Sequence, residues 1–210
     1  MTRKNDPYKQ TINVYAELGD TYLRDIAHAA PQEIGQFARL IRKQGRVLDV
    51  GCAGGRDSAF FVNRRFRVIG IDLVDKFLRF ARKKVPGATF KRMDVRRLRF
   101  RPNTFDAIWA NAVLLHLHKK DVRQVLKKFF VILRLNGKLH LRVKQGRGQQ
   151  YGQTREPLVQ GKRRLFTYFQ LKELVKYVTQ AGFQILRSKI YPDNLGRQDV
   201  RWVSIWAEKH

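Results

Sequence analysis

The chain has 210 residues, of which 43% are apolar and 11% aromatic, so it is one domain in size and rich enough in core formers to exclude disorder. Its longest apolar runs are too short to span a bilayer, Met1 to Asp6 lead into no secretory segment, and the single Cys52 excludes an internal disulfide; a reducing cytoplasm is the expected setting. Against 17 acids stand 44 lysines and arginines, a net charge of +27 that points either to an anionic partner, RNA or a membrane surface, or to a general basic bias. Because the cations are spread along the whole chain, the reading favours surface bias over a nucleic-acid partner.

In chain order, Thr11 to Ala29 reads as a helical lead-in carrying Tyr15 and Tyr22. Gln32 to Arg42 reads as a second helix with Pro31 at its first position. The run Val47-Leu48-Asp49-Val50-Gly51-Cys52-Ala53-Gly54-Gly55-Arg56-Asp57 then reads as a buried strand, a glycine turn at its carboxyl end and a helix opening over it. Such a turn is a nucleotide-type site in an open α/β sheet, because glycine lets a ligand approach the backbone and the helix start offers unpaired N–H groups. Asp49 sharpens the reading. Its carboxylate would repel a pyrophosphate and attract a ligand with an ammonium or sulfonium group.

Val68 to Asp72 is a second strand ending in an acid, about twenty residues beyond the turn, where an acid reaches ribose hydroxyls. Asp75 reads as a cap for the helix that follows. Ala88 to Asp94 is a third strand ending in an acid, and Phe105 to Asn111 a fourth ending in an amide. Val122, Val125, Leu126, Phe129 and Ile132 have helical spacing, and Asn136-Gly137 is expected to end that helix in a left-handed turn. Lys138 to Val143 alternates as a strand. Lys144 to Arg164 departs from regular structure and leaves the sheet on its ligand side, as a functional lid would. Leu171 to Ala181 is a helix, and Phe183 to Ile190 and Val200 to Ala207 are the closing strands.

At the glycine motif with its spaced acids, the chain resembles the class I S-adenosylmethionine-dependent methyltransferases. Trp109 to His116 and Arg164 to Tyr168 resemble a bacterial group near the tellurite-resistance and quinone-biosynthesis enzymes. The resemblance covers nearly the whole chain and implies an α/β, Rossmann-like seven-stranded sheet, mostly parallel, with helices on both faces and the last strand antiparallel. It implies a single domain over residues 1–210, with a helical lead-in at 1–43 and a lid at 144–164. It further implies that Asp49, Gly51, Cys52, Ala53, Gly54, Gly55, Asp72, Leu73, Asp94, Val95 and Asn111, with Tyr15 and Tyr22, hold S-adenosylmethionine. Lys144, Arg164, Phe166 and Tyr168 lie near the methyl acceptor in that group; this chain has Gln145 where the family often carries an acid.

Methyl transfer from a sulfonium is an in-line displacement, so the protein's tasks are positioning and desolvation. A protic acceptor also needs a base, for which His116, after the fourth strand, is the candidate; His118 is a weaker one and His140 reads as structural. The expected acceptor wall, His116, Lys144, Arg164, Phe166, Tyr168 and Arg197, mixes aromatics with cations and suits a compact anionic or polarisable small molecule. No Asn/Asp-Pro-Pro-aromatic motif follows the fourth strand, no Cys/His set has zinc spacing, and no Gly-x-Ser-x-Gly elbow occurs. The alternatives are an RNA or ribosomal methyltransferase that uses the basic surface and a non-catalytic protein that keeps the cofactor fold. A dinucleotide oxidoreductase ranks behind them.

Overall fold

The computed structural model describes residues 6–153, 161–193 and 195–210. A seven-stranded sheet in the order β3-β2-β1-β4-β5-β9-β8 forms its centre. Its strands are β1 (Arg46–Val50), β2 (Arg67–Asp72), β3 (Thr89–Arg92), β4 (Phe105–Asn111), β5 (Leu133–Lys144), β8 (Phe183–Pro192) and β9 (Arg201–Lys209). The first five pair in parallel, and β9, last in the chain, inserts antiparallel between β5 and β8. This is the Rossmann-like arrangement expected from the alternation of elements. The order reverses between β1 and β4, which places a crevice at their carboxyl ends.

The two faces are covered differently. On one, α5 (Lys119–Ile132) and α6 (Leu171–Gln180) bury Val122, Val125, Leu126, Phe129, Leu174 and Val178 in the main core. On the other, α2 (Ile34–Ala38) and α3 (Arg56–Val62) pack Phe37 and Phe61 around Trp109. Strand β4 is buried at Phe105 through Ala110, as a central parallel strand with both faces covered must be. Helix α4 (Asp75–Lys84) buries Phe77, Leu78 and Ala81 and ends in Arg82, Lys83 and Lys84, cations that complement the helix dipole.

Several expectations need correction. The lead-in helix α1 spans Pro7–Ile26, earlier than Thr11 to Ala29, because Asp6 accepts the Tyr8 N–H as N-cap and Pro7 stands at the first helical position. It kinks at Gly19 (φ 48°, ψ −123°), a conformation that glycine tolerates. The second helix shrinks from Gln32–Arg42 to Ile34–Ala38. Asp75 is the first helical residue of α4, not its cap; Val74 stands at the N-cap without a side-chain cap, and Asp72 ties down the turn before it by accepting the Leu73 and Val74 N–H groups. Asn136 is left-handed (φ 60°), but it lies inside β5 instead of ending α5, where the pairing jumps from Phe105–Leu133 to Ala107–Lys138.

The segment expected to be irregular contains an antiparallel ribbon, β6 (Gln149–Gln153) with β7 (Arg163–Thr167). Residues 154–160 of the expected lid lie outside the described residues. No helix among the described residues is long and apolar enough to cross a membrane.

Candidate functional site

The crevice at the carboxyl ends of β1, β2 and β4 is roofed by α1 and β7. The Leu165 N–H donates to Thr11 Oγ1 (2.9 Å), and Thr167 Oγ1 donates to the Leu117 carbonyl (2.6 Å), so β7 is tied to α1 on one side and to the turn after β4 on the other. Tyr8 fixes the start of α1: its hydroxyl donates to Asp121 and accepts the His118 N–H (2.9 Å). Burial, the Asp121 hydrogen bond and the Asp121 charge together push the Tyr8 phenol up to about 12. His118 caps α5 with its ring edge-on to Tyr8, a structural post.

Two cavities share the crevice. The smaller, about 140 Å³, is mostly apolar and reaches from Tyr15 and Tyr22 past Leu73 and Phe77 to Asp94 and Val95. The larger, about 510 Å³, is the more polar of the two and is lined by Asp49, Asp57, Asn111, Arg142, Lys144 and Arg197. Gly51, Ala53, Tyr15, Tyr22 and His116 line both. Gly51 is left-handed (φ 69°), and a Cβ there would stand 2.8 Å from Val113, so the turn can approach this closely only with glycine.

At the glycine-turn end the acids form a buried network. Asp49, 2% exposed, accepts the Ser58 hydroxyl at 2.6 Å. Burial foremost, then the neighbouring Asp57 charge, pushes its carboxyl up to about 7. Asp57 is opposed by burial too, but Arg56 (2.7 Å), Trp109 Nε1 (2.8 Å) and Asn111 Nδ2 (3.1 Å) outweigh it and hold this acid below its ordinary range. Two nearby carboxyls are thus driven apart, one a settled anion and one poised near neutrality. The Asn111 amide oxygen is buried and has no hydrogen-bond partner among the described residues.

Asp72 closes the turn: Oδ2 accepts the Ala53 N–H (2.9 Å), and Oδ1 accepts those of Leu73 (2.7 Å) and Val74 (2.9 Å). With two acceptor positions per carboxylate oxygen, Oδ2 keeps one for a hydroxyl. Asp94, on the wall of the smaller cavity, is also paired within the chain. Arg96 grips it through Nη2 (2.6 Å) and Nε (3.0 Å) and also through its backbone N–H (2.9 Å). Burial raises the Asp94 carboxyl, yet these bonds hold it below the usual range.

Cations line the rest of the cavity. Arg142 and Lys144 come from β5, Arg164 from β7 and Arg197 from the segment between β8 and β9. Arg142 lies 3.4 Å from the buried Glu33 and over the Trp202 ring (4.4 Å). Arg197 pairs with Asp193 (2.8 Å), which also accepts Trp202 Nε1 (2.7 Å). Lys144 and Arg164 lie over the Phe166 ring at 4.3 and 4.8 Å.

Between the two ends stands a directed chain. The Leu165 carbonyl can only accept, so His116 Nδ1 (2.8 Å away) carries the hydrogen. In the neutral ring Nε2 then accepts from the Tyr15 hydroxyl (2.8 Å), whose oxygen in turn accepts from Arg164 Nη1 (2.8 Å). Tyr15 is edge-on to Tyr22, which stacks on Phe77.

The structure thus places most sequence-predicted residues on the two cavities. The exceptions are Gly54, which faces Leu23 and Phe80, Gly55, which packs toward Ala81 and Phe90, and Tyr168, which borders neither cavity and reaches Gln150 instead. Cys52 Sγ would lie 2.9 Å from a Cβ at position 70, and burial pushes its thiol well up, so it is packing. His140 stacks on Trp109 (4.0 Å) with its ring buried and held far below its ordinary titration range by burial and Arg142. Sequence reasoning missed Arg56, Arg142 and Trp202 as cavity residues and Glu33 behind Arg142; only the acid Glu33 in so basic a stretch hinted at it.

Residues 47–137 match the family model described as a methyltransferase domain. The YqeM methyltransferase of Bacillus subtilis is 28% identical over 130 residues, 59% of this chain and 53% of that protein. The trans-aconitate 2-methyltransferase of Variovorax paradoxus is 30% identical over 104 residues, 49% of this chain and 39% of that protein. This chain therefore spans about half or less of the length of these curated relatives. Among solved structures, the 1,6-didemethyltoxoflavin-N1-methyltransferase of Burkholderia thailandensis, described with S-adenosylhomocysteine bound, aligns with a TM-score of 0.69 at 20% identity. That alignment covers 100% of this chain and 92% of that one, and it shows a shared fold.

Proposed function

Taking the chain as a class I S-adenosylmethionine-dependent methyltransferase, we propose that it transfers the donor's methyl group to a small acceptor that carries an oxyanion. The observation that carries the reading is the charged lining of the larger cavity, where Asp49, Asp57 and Asn111 stand by the glycine turn, Arg142 lies beside Asn111, and Lys144, Arg164 and Arg197 complete the wall.

The residues of the glycine-turn end fit the donor. The buried, unpartnered Asn111 oxygen and the Asp49 carboxyl suit an ammonium. Asp72 Oδ2 has an acceptor position left for a ribose hydroxyl, and Leu73, Phe77 and Val95 give the smaller cavity the apolar walls a purine needs. The donor, when bound, supplies a methyl group already activated by its sulfonium, so no metal or covalent intermediate is required of the protein.

The remaining work falls to the other end. The cations orient the acceptor's oxyanion, and Phe166 between Lys144 and Arg164 excludes water there. An acceptor hydroxyl, amine or thiol placed against Tyr15 gives its proton to the phenol oxygen as Tyr15 passes its own to His116 Nε2. The resulting imidazolium stays anchored through Nδ1–H to the Leu165 carbonyl. Tyr15 is thus the group that meets the acceptor, and His116 stores the proton behind it. The relative that acts on trans-aconitate, a polycarboxylate, supports an anionic acceptor by analogy. A cytoplasmic setting and a single domain over the whole chain belong to this reading.

Calorimetry tests the donor assignment. The wild-type protein should bind S-adenosylmethionine and S-adenosylhomocysteine but not NAD; preferential binding of NAD would defeat the reading.

A further inference from the structure

A second cleft opens at the opposite, amino-terminal end of the sheet. Two turns build it: the one between α2 and β1 and the one between α3 and β2, brought side by side by the Arg46–Arg67 register of β1 and β2. It encloses about 580 Å³, and Arg39, Lys43, Arg64 and Arg65 line it together with Gln44 and Phe66. All four cations are exposed, and among the described residues none of them forms an ion pair. Arg67, also exposed, lies beside them and donates to the Gln44 carbonyl (3.2 Å).

Acids do not balance this charge. Between Glu33 and Asp72 the sequence holds only Asp49 and Asp57, both buried at the far end of the strand. Glu33 is buried against Arg142 and Ser204. Asp106, next to the cleft at the start of β4, is nearly buried and already engaged by Arg42 and Arg134.

Two simpler roles do not account for the cluster. Cations complement helix C-termini, and α2 and α3 both end here. Each end carries roughly half a negative charge, about one in all, against four lining cations. Nor is the backbone indifferent. Phe66 N–H bonds the Phe61 carbonyl and Arg65 N–H that of Val62, a helix stop whose left-handed position normally takes glycine; here it is Arg65 at φ 63°. Gln44, in the adjoining turn, is left-handed as well (φ 56°). Large polar side chains stand at both turns where smaller ones would sit with less strain.

We propose that this cleft binds consecutive phosphates, supplied either by a single-stranded RNA or by a free oligophosphate such as a nucleoside triphosphate. Several cations converging from two loops on a concave space larger than one phosphate suit a chain of phosphates, and a flat anionic surface would not enter it. The Arg64 guanidinium lies over the Phe60 ring (3.6 Å to its centre), which restrains it, and the half-buried Phe66 ring offers a surface for a base. A five-residue strand separates the two ends of β1, on the order of 15 Å, so a ligand here would not occupy the methyl-transfer crevice. The site is independent of the activity proposed above.

The test compares two quadruple variants of the full chain. One carries Arg39→Gln, Lys43→Gln, Arg64→Gln and Arg65→Asn; the other carries Lys120→Gln, Lys127→Gln, Lys128→Gln and Lys176→Gln, an equal loss of exposed charge on α5 and α6. Thermal melts verify folding. Anisotropy of a labelled 12-nucleotide oligouridylate, competition by tripolyphosphate and by ATP, and flotation with phosphatidylglycerol vesicles are then measured at several salt concentrations. The cleft variant should lose at least tenfold in affinity for the RNA or for the oligophosphate, whichever binds, and its dependence on log salt should flatten. The control variant should lose no more than about threefold. RNA held without competition from tripolyphosphate assigns the strand as the source; tight tripolyphosphate or ATP binding with weak RNA assigns the free oligophosphate. Equal losses in the two variants, or a cleft-dependent loss confined to vesicles, would overturn the proposal.

Discussion

The two ends of the main crevice are built in opposite ways. The donor end is local: Asp49, Gly51, Ala53 and Asp57 come from one strand–turn–helix unit, and Asp72 from the next strand. The proposed acceptor end is assembled from residues far apart in the chain, Tyr15, His116, Lys144, Arg164 and Arg197, held by tertiary contacts such as Leu165 to Thr11. A local unit can be kept while the distant one changes, which is how one fold serves many acceptors. In the proposed reading Asp49 and Asp72 face a cationic donor and Lys144, Arg164 and Arg197 an anionic acceptor, while Arg56 and Arg142 stand beside the acids.

That division can be broken most forcefully in the middle. His116→Ala should lower kcat about 10²-fold or more, the scale of a positioned base, and Tyr15→Phe should do the same while leaving donor affinity within about twofold. If Tyr15→Phe changes only KM, the phenol merely shapes the acceptor pocket. Next in size, Asp72→Ala should weaken S-adenosylmethionine binding by about 1–3 kcal/mol, the worth of charge-assisted hydrogen bonds, without affecting KM for the acceptor. Equal donor affinity in calorimetry would remove Asp72 from the site.

Asp49 gives the division a pH signature. Its carboxyl is raised from 3.8 to about 7 in the folded protein, so between those values the native state holds a proton that the unfolded chain releases. Its contribution to stability is full below about pH 4 and is lost as pH rises through 7. An ammonium nearby prefers the carboxylate, so donor affinity should rise over the same interval. Melting and calorimetry of wild type against Asp49→Asn from pH 5 to 8 check both slopes, which should vanish in the variant; parallel curves would count against Asp49. The smallest effect belongs to the acceptor end, where Lys144→Gln or Arg197→Gln should raise the acceptor KM several-fold and leave donor affinity unchanged.

Legibility in the sequence followed the same boundary. Strand β4 ran from Phe105 to Asn111 as read, and the glycine turn and Asp72 were visible because short-range spacing alone sets their geometry. Asp94 does line the smaller cavity, as its place at a strand end implies, but its pairing with Arg96 two positions on is not displayed by the motif. Arg142 and Trp202 looked like ordinary strand residues, since their place on the cavity depends on β9 inserting antiparallel beside β5. The ribbon of β6 and β7 was hidden by the polar residues and Gly152 of β6, which lack the apolar alternation of a half-buried strand. Asn136-Gly137 did mark a left-handed position, yet the turn chemistry could not say that the chain had already left the helix. The +27 charge carries no position in sequence: the cations of two turns, dispersed along the chain, meet in one cleft only after folding.

The most direct test of the central claim is methyl-labelled S-adenosylmethionine incubated with the protein and, separately, with total RNA and a small-molecule extract of the same cells, the extract being divided on an anion-exchange resin. Label should appear in the retained, anionic small-molecule fraction and disappear with His116→Ala. Label in RNA alone, or in the unretained fraction alone, would contradict it.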